Sequence, residues 1–493
     1  MKKMKINIIK TLLTLAVFAT FYSCDEEFLE KSPTQFINVD DAGQTGQLNP
    51  VILDANLNGI YSMMINTGTG GTGAHEDFGQ KGYDITTDFL SGDLALTANN
   101  YNRYGGFANL LSTVDYTSNF NYRPWRYYYR IIRSSNLVIN SLGGNDANPA
   151  SPTAKHSLGQ AKALRAYAYF YLSQLYQKEY NAAEAVLPLY TDPFDPVLPQ
   201  SPMSEVYDFM IKDLKSAISF LNGFNRSAKS AINEDVAKAL LAYVYAAKGD
   251  SASNLLAKDL AEQVISSGYP LMTSSEVVGG FNDVSTPGWI WGFDVTLANG
   301  LDLISWWGQM DVFTYSYQWA GDKKGIDEGL FAKIKANDIR KAQFDTSNDL
   351  QPRNKFYNGA RKIGGQRNIE DDYIYMRVAE MYLLSAEMSA KESADGAART
   401  RLKQLLAQRF TNAADYAYVD GLSGPALVGE IILQTRIELW GEGKSYLSMK
   451  RNKQMMTRGS NHVFHAGLSI PHTDDRLTFE IPRAEIQNNP HIN

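Results

Sequence analysis

Six aromatic side chains crowd the segment SWWGQMDVFTYSYQW at 305–319: Trp306, Trp307, Phe313, Tyr315, Tyr317 and Trp319. Gly292, Gly300, Gly308 and Gly321 flank or interrupt it, so one short segment carries more ring surface than it can bury by itself. Flat apolar rings among polar side chains suit a ligand with one apolar face and many hydroxyls. The C–H face of a pyranose stacks on such a ring, and Gln309, Asp311 and Asp322 are placed to meet its hydroxyls. A second cluster of the same kind stands at Asn99, Asn100, Tyr101, Arg103 and Tyr104. A structural alternative stays open: Phe313, Tyr315, Tyr317 and Trp319 alternate along one side of a strand, as in a hairpin with a one-sided core face.

Constellations for catalysis or metal binding are poorer. Glu438 and Glu442 lie four apart on one helical face, not across a cleft as a glycosidase pair must. With Arg165, Arg377, Glu380, Glu387 and Arg436 they recur among aromatics on helical segments, where buried ion pairs are the expectation. His75 and Glu76 begin like a zinc-protease helix, but Gly79 occupies the partner position. GEGKS at 441–445 ends like a phosphate loop, yet the required first glycine is Glu438. His462, His465 and His472 lack a fourth ligand. Asp77, Asp84, Asp88 and Asp93 match no calcium-loop spacing and are expected to cap turns. No catalytic residue, metal or cofactor is expected.

The single cysteine is Cys24. Lys2, Lys3, Lys5 and Lys10, an apolar run from Leu12 to Phe21 and the small Ser23 precede it, which is the order of a secretory signal peptide over 1–23. A cysteine directly after the cleavage point, followed by Asp25, Glu26 and Glu27, looks like a bacterial lipobox, with Cys24 lipidated through its sulfur and anchored in membrane lipid. Loss of the four lysines takes the formal charge from −6 to −10, which disfavours a nucleic-acid partner. No second apolar stretch reaches transmembrane length.

The elements that must position these side chains read as mostly helical. Asn233 is an N-cap, Glu234 and Asp235 fill a first turn, Val236, Leu240, Tyr243 and Ala247 recur at helical spacing, and Gly249 stops the run. A second helix from about 255 to 267 closes a unit of the size of a tetratricopeptide repeat. Further helices are predicted at 159–177, 204–221, 371–391, 396–409 and 427–450. Between them, 66–124 and 272–325 read as long polar loops rich in Gly, Asn and aromatics, the latter with five tryptophans.

The order of these landmarks resembles the SusD/RagB family of surface-exposed nutrient-binding lipoproteins of the Bacteroidetes. Its carriers are the lipobox, HEDFGQKGYDITTDFLSGD (75–93), GQAKALRAYAYFYLSQLY (159–176), INEDVAKALLAYVYAAKGD (232–250), DDYIYMRVAEMYLLSAE (371–387), RIELWGEGKSYLSMKR (436–451) and LTFEIPRAEIQNNP (477–490). One departure is the longer KEYNAAEAV after Gln177, which alters a loop. The resemblance implies a mostly α fold, with four tetratricopeptide-like helix pairs and a loop-rich irregular face that carries the ligand site. It implies a single domain over 24–493, with 24–48 as a tether and 66–124 and 272–325 as ligand-binding loops. It also implies a lipid-anchored, non-enzymatic, outer-membrane glycan binder that delivers its cargo to a SusC-like TonB-dependent transporter. On this reading the ligand residues are Trp306, Trp307, Gln309, Asp311, Tyr315, Tyr317, Trp319, Asn100, Tyr101, Arg103 and Tyr104. Capture of peptides or another nutrient by the same scaffold is the alternative, with a surface glycosidase behind it.

Overall fold

The computed structural model describes residues 50–365 and 367–492, with side chains from Ala55 onward. The predicted signal peptide, Cys24 and the tether lie outside the described residues. In chain order the principal elements are α1 (Pro50–Ile65), α2 (Gln80–Ser91), β1 (Leu94–Leu96), α3 (Asn119–Ser141), α4 (Pro152–Tyr176), α5 (Met203–Phe220), α6 (Glu234–Lys248) and α7 (Ser251–Ser266). There follow β2 (Trp289–Phe293), β3 (Lys324–Ile326), β4 (Tyr373–Arg377), α8 (Val378–Lys391), α9 (Asp395–Leu406), α10 (Gly424–Glu438), α11 (Ser445–Arg451) and α12 (Arg483–Asn488).

Local chemistry sets the helix ends. Ser151 accepts from the Ala154 amide ahead of Pro152 and starts α4. Asn233 accepts from the Val236 amide, and Gly249 ends α6 in the left-handed region at φ 75°. Asp250 then caps α7 through the Ser253 amide at 3.0 Å. Each helix from α3 to α8 packs on the next, and α9 and α10 close on α8, so α3/α4, α5/α6, α7/α8 and α9/α10 form four successive pairs. α4 is buried at every position from Ser157 to Tyr176, which makes it the central rod of the main core. Leu240 belongs to that core, while Leu383, Leu402, Leu427 and Ile431 share a second apolar cluster among α8, α9 and α10.

Three expectations need correction. Residues 373–377 are a strand, β4, paired antiparallel with β2, and the helix begins only at Val378. The expected helix 427–450 is broken between α10 and α11 at Gly441 and Gly443, whose φ values are 76° and 73°. A Cβ on Gly443 would stand 2.5 Å from an Asp84 carboxylate oxygen, so the break lets the chain pass close to α2. The supposed loop 66–124 holds α2, every residue of which is buried. Its polar groups are satisfied internally, Lys81 Nζ reaching Asp84 at 2.8 Å and Gln80 Nε2 reaching the same carboxylate at 2.9 Å.

The 111-residue excursion between the end of α7 and the start of α8 carries β2, β3 and the aromatic segment. β1 and β3 form a short antiparallel ladder that pairs Leu94 with Ile326 and Leu96 with Lys324. It extends past the strands, since the Thr97 amide donates to Lys323 O at 2.8 Å and the Asn100 amide to Gly321 O at 3.3 Å. That ladder ties the 99–104 segment to the 315–322 segment.

Candidate functional site

Beyond the ladder, Asp322 accepts from the backbone amides of Tyr101 at 2.6 Å and Arg103 at 2.8 Å, fixing the turn that presents both side chains. Gly321, at φ 120°, lets Asn100 lie against the backbone: a Cβ there would stand 2.0 Å from Asn100 Nδ2. Tyr101 is 57% exposed and meets Tyr317 edge-on with ring centroids 5.7 Å apart. The guanidinium of Arg103 lies 4.8 Å over the other ring of that pair, Tyr317. Glu76 anchors Arg103 at 3.3 Å and also pairs with Arg123 at 3.4 Å. His75 packs on Tyr317 at 5.6 Å and hydrogen-bonds its hydroxyl through Nδ1. Partial burial, then Arg103, lowers the His75 pKa below its ordinary value, which favours a neutral ring at neutral pH.

A second pair of rings continues the surface. Tyr315 and Trp319, 44% and 45% exposed, stand 5.4 Å apart at an interplanar angle of 36°. Arg367 covers Tyr315 at 4.8 Å and pairs with Asp302 at 3.2 Å. One side of the Trp319 indole rests on Gly364, where a Cβ would approach Nε1 to 2.3 Å. Beneath the surface Lys324 is buried, and its Nζ donates to Gln309 Oε1 at 3.0 Å and to Asp322 O at 2.9 Å. Desolvation lowers its pKa to about 7 against the pull of Asp322.

Asn100, Tyr101, Arg103, Tyr315, Tyr317 and Trp319 therefore share one region, although Tyr317 is itself mostly covered at 7% exposure. The other expected ligand residues do not join them. Trp306 and Trp307 are 2% and 0% exposed. Trp306 packs edge-on against Trp307 and Phe356, and Trp307 Nε1 donates to Asp371 O at 2.8 Å. Tyr104 is buried against Phe89 and Phe107, Gln309 is spent on Lys324, and Asp311 accepts from the Phe313 and Thr314 amides and pairs with Arg361 at 2.8 Å. A side chain buried in the interior has no face to offer a ligand. The hairpin alternative is not realised either: Asp311 forces a turn at 313–314, and Tyr317–Ala320 is one helical turn.

The remaining candidates are structural in their contacts. Glu438 and Glu442 are buried among Arg340, Arg377, Arg409 and Lys355. His462, His465 and His472 are dispersed onto Asp327, Asn109 O and Glu179. Asp77 holds the turn at Gly70 and Thr72, as expected, whereas Asp84 pairs with Lys81, Asp88 accepts from the Gly443 amide and Asp93 pairs with Arg436. Among the described residues no group of three or more His, Cys, Asp or Glu side chains is arranged to hold a metal. Two residues of the surface escaped sequence reasoning. His75 stood in a motif weighed only for zinc, and Arg367 had no local signal.

A family described as starch-binding and associating with the outer membrane matches residues 51–246, and the SusD family matches residues 309–493. No curated protein matches the chain. Among solved structures, a SusD-like carbohydrate-binding protein from Bacteroides vulgatus superposes with a TM-score of 0.76 at 23% identity, over 90% of this chain and 97% of that one. A SusD superfamily protein from Bacteroides thetaiotaomicron gives 0.73 at 21% identity, over 90% and 99%. Surface glycan-binding protein A from the same organism, solved with laminarihexaose, gives 0.66 at 15% identity, over 89% and 97%. With residues 51–246 and 309–493 matched by SusD-type family models, this chain belongs to the SusD/RagB family.

Proposed function

We propose that the chain is a surface glycan-capture protein whose ligand platform is formed by Tyr101, Tyr315 and Trp319, with Asn100, Arg103 and Arg367 at its polar edge. The observation that carries this reading is the exposure of these three rings while most of the chain's tryptophans are buried. Large rings left in water cost solvation free energy unless a ligand covers them, and sugar C–H faces match them. The laminarihexaose complex of a structural relative supports the choice of an oligosaccharide. Glu438 lies in the interior and is bound by three arginines, so the Glu438–Glu442 pair lacks the open cleft that hydrolysis needs.

Titration calorimetry with a panel of neutral oligosaccharides, laminarihexaose among them, tests the site. Trp319→Ala and Tyr101→Ala should each weaken binding roughly 10-fold, about 1.4 kcal/mol, with little change in melting temperature. Unchanged affinity in both variants would remove the platform, and release of reducing ends from a bound glycan would make the protein an enzyme.

Lipid anchoring at Cys24 and delivery to a SusC-like TonB-dependent barrel complete the proposal. Among the described residues no helix is long and apolar enough to cross a membrane; the anchor is proposed from the lipobox-like sequence at Cys24. Cys24→Ser should abolish incorporation of labelled palmitate and release the protein from the membrane fraction. Retained label in that variant would place the anchor elsewhere. Detergent pull-down of the native protein should bring with it a large barrel protein, and its absence would count against the delivery role.

A further inference from the structure

One cleft among the described residues lies away from the aromatic platform. Its volume is about 450 Å³, and it is enclosed by α3, the 190–195 segment and α12. That size falls in the range of roughly 300–1,000 Å³ typical of small-ligand sites. Aromatic rings line it: Trp125 and Tyr129 have centroids 4.9 Å apart, and Tyr129 meets Tyr190 edge-on at 5.8 Å. Asn136 Nδ2 holds Tyr190 O at 3.2 Å and so fixes the opposite wall against α3.

Arg126, Arg130 and Arg133 stand on the cleft side of α3. Their spacing of four and then three residues puts the guanidinium groups in one row. Arg126 donates to the Tyr122 hydroxyl at 3.0 Å and Arg130 to Thr69 O at 2.7 Å, both neutral acceptors. Among the described residues none of the three forms an ion pair. Three carboxylates also line the cleft, but each has a local donor of its own. Asp195 accepts from the Thr191 and Asp192 amides at 2.7 and 2.9 Å, and Asp192 from the Phe194 amide at 2.9 Å. Glu485 accepts from Trp125 Nε1 at 3.2 Å and from Asn489 Nδ2 at 2.9 Å. Three cations that form no ion pair therefore share the cleft with three carboxylates held by neutral donors and with a concave wall of tyrosine and tryptophan.

We propose that this cleft is a second saccharide site, selective for acidic sugars. Acidic groups of the saccharide, carboxylate or sulfate, are held by Arg126 and Arg133, about two helical turns apart, and a sugar ring lies against Tyr129. Guanidinium groups match both anions in a forked geometry, and an aromatic wall meets the C–H face of a sugar ring. The choice of a sugar rests on the reading of the chain as a glycan binder; the capture of an anion does not.

Calorimetry on the full-length chain in detergent, with hexagalacturonate, a chondroitin sulfate hexasaccharide, laminarihexaose and hexaglutamate, separates these. The parent should bind at least one of the two acidic saccharides, more weakly as salt is raised. The double variant Arg126→Ala/Arg133→Ala should lose at least 10-fold in that affinity while its melting temperature and its binding of neutral glycans stay those of the parent. Tyr101→Ala/Trp319→Ala should show the converse pattern, so that failure of the platform and failure of the cleft are read separately. Binding of the galacturonate alone assigns the cleft to carboxylates, and binding of the chondroitin probe alone to sulfates. No binding of either acidic saccharide, or equal affinity in the arginine double variant, overturns the proposal. Hexaglutamate bound as tightly as the saccharides overturns the assignment to sugars.

Discussion

Glu438→Ala should cost about 3–5 kcal/mol of stability, the magnitude expected when one partner of a buried ion pair is removed. The carboxylate sits at the end of α10 with no side-chain exposure and is the meeting point of three elements. Arg409 grips it through Nε at 2.9 Å and Nη2 at 2.6 Å, Arg377 from β4 at 2.5 Å, and Arg340 at 3.0 Å. In the variant Arg340 keeps Asp338 and Arg377 keeps Glu442, but Arg409 is left with backbone carbonyls only. One guanidinium is then buried without a counter-charge, and that sets the cost. Burial by itself would raise the pKa of Glu438, but Arg409 and Arg377 outweigh it and hold the group well below the ordinary carboxylate range. Glu442 behaves likewise: burial opposes ionisation, and Arg377 and Lys355 bring it to about 2. Both groups are depressed, so their stabilisation is present above about 4.5 and is lost as the pH falls below it, for Glu442 through about 2. Urea titrations at pH 7 and pH 3 check both parts. The parent should weaken on acidification, and Glu438→Gln should weaken less steeply. A Glu438→Ala protein as stable as the parent at pH 7 would mean that the arginines find other partners.

The sequence disclosed the scaffold wherever a helix end is written in local chemistry. Asn233 and Gly249 mark the two ends of α6, and its apolar stripe needs no knowledge of its neighbours. It concealed α2, because Gln80, Lys81 and Asp84 read as part of a polar loop until their internal pairing is seen. The site was legible in composition and illegible in detail. Six of the expected ligand residues converge only because three residues of β1 pair with three of β3, a contact between segments more than 200 positions apart with no local signature. Nor does residue type separate Trp307 from Trp319: one has Phe356 and Asp371 against it, the other a glycine on one side and water on the other.

That contrast yields the second large effect. Trp306→Ala and Trp307→Ala should each lose about 3–5 kcal/mol, the range for a wholly buried aromatic truncated to alanine. Trp306 supplies an edge to Phe356 with centroids 4.7 Å apart and carries Lys81 4.9 Å over its ring, so its removal opens a cavity and uncovers a buried cation. Trp307 additionally gives up the bond to Asp371 O, and Asp371 is itself bound to Arg361 and to Asn358 Nδ2 at 2.7 Å. Loss at 307 therefore loosens the segment that leads into β4 as well as the core. Trp319→Ala, by contrast, removes an indole that is 45% exposed, and stability should change by less than about 1 kcal/mol. Thermal melts of the three variants beside glycan titrations distinguish packing from recognition. Trp306 and Trp307 should lower the melting temperature, and any loss of binding should follow from unfolding, whereas Trp319 should lose affinity at nearly constant melting temperature. If Trp307→Ala melts with the parent yet fails to bind, the indole belongs to the ligand site, and the division between buried core and exposed platform drawn here falls.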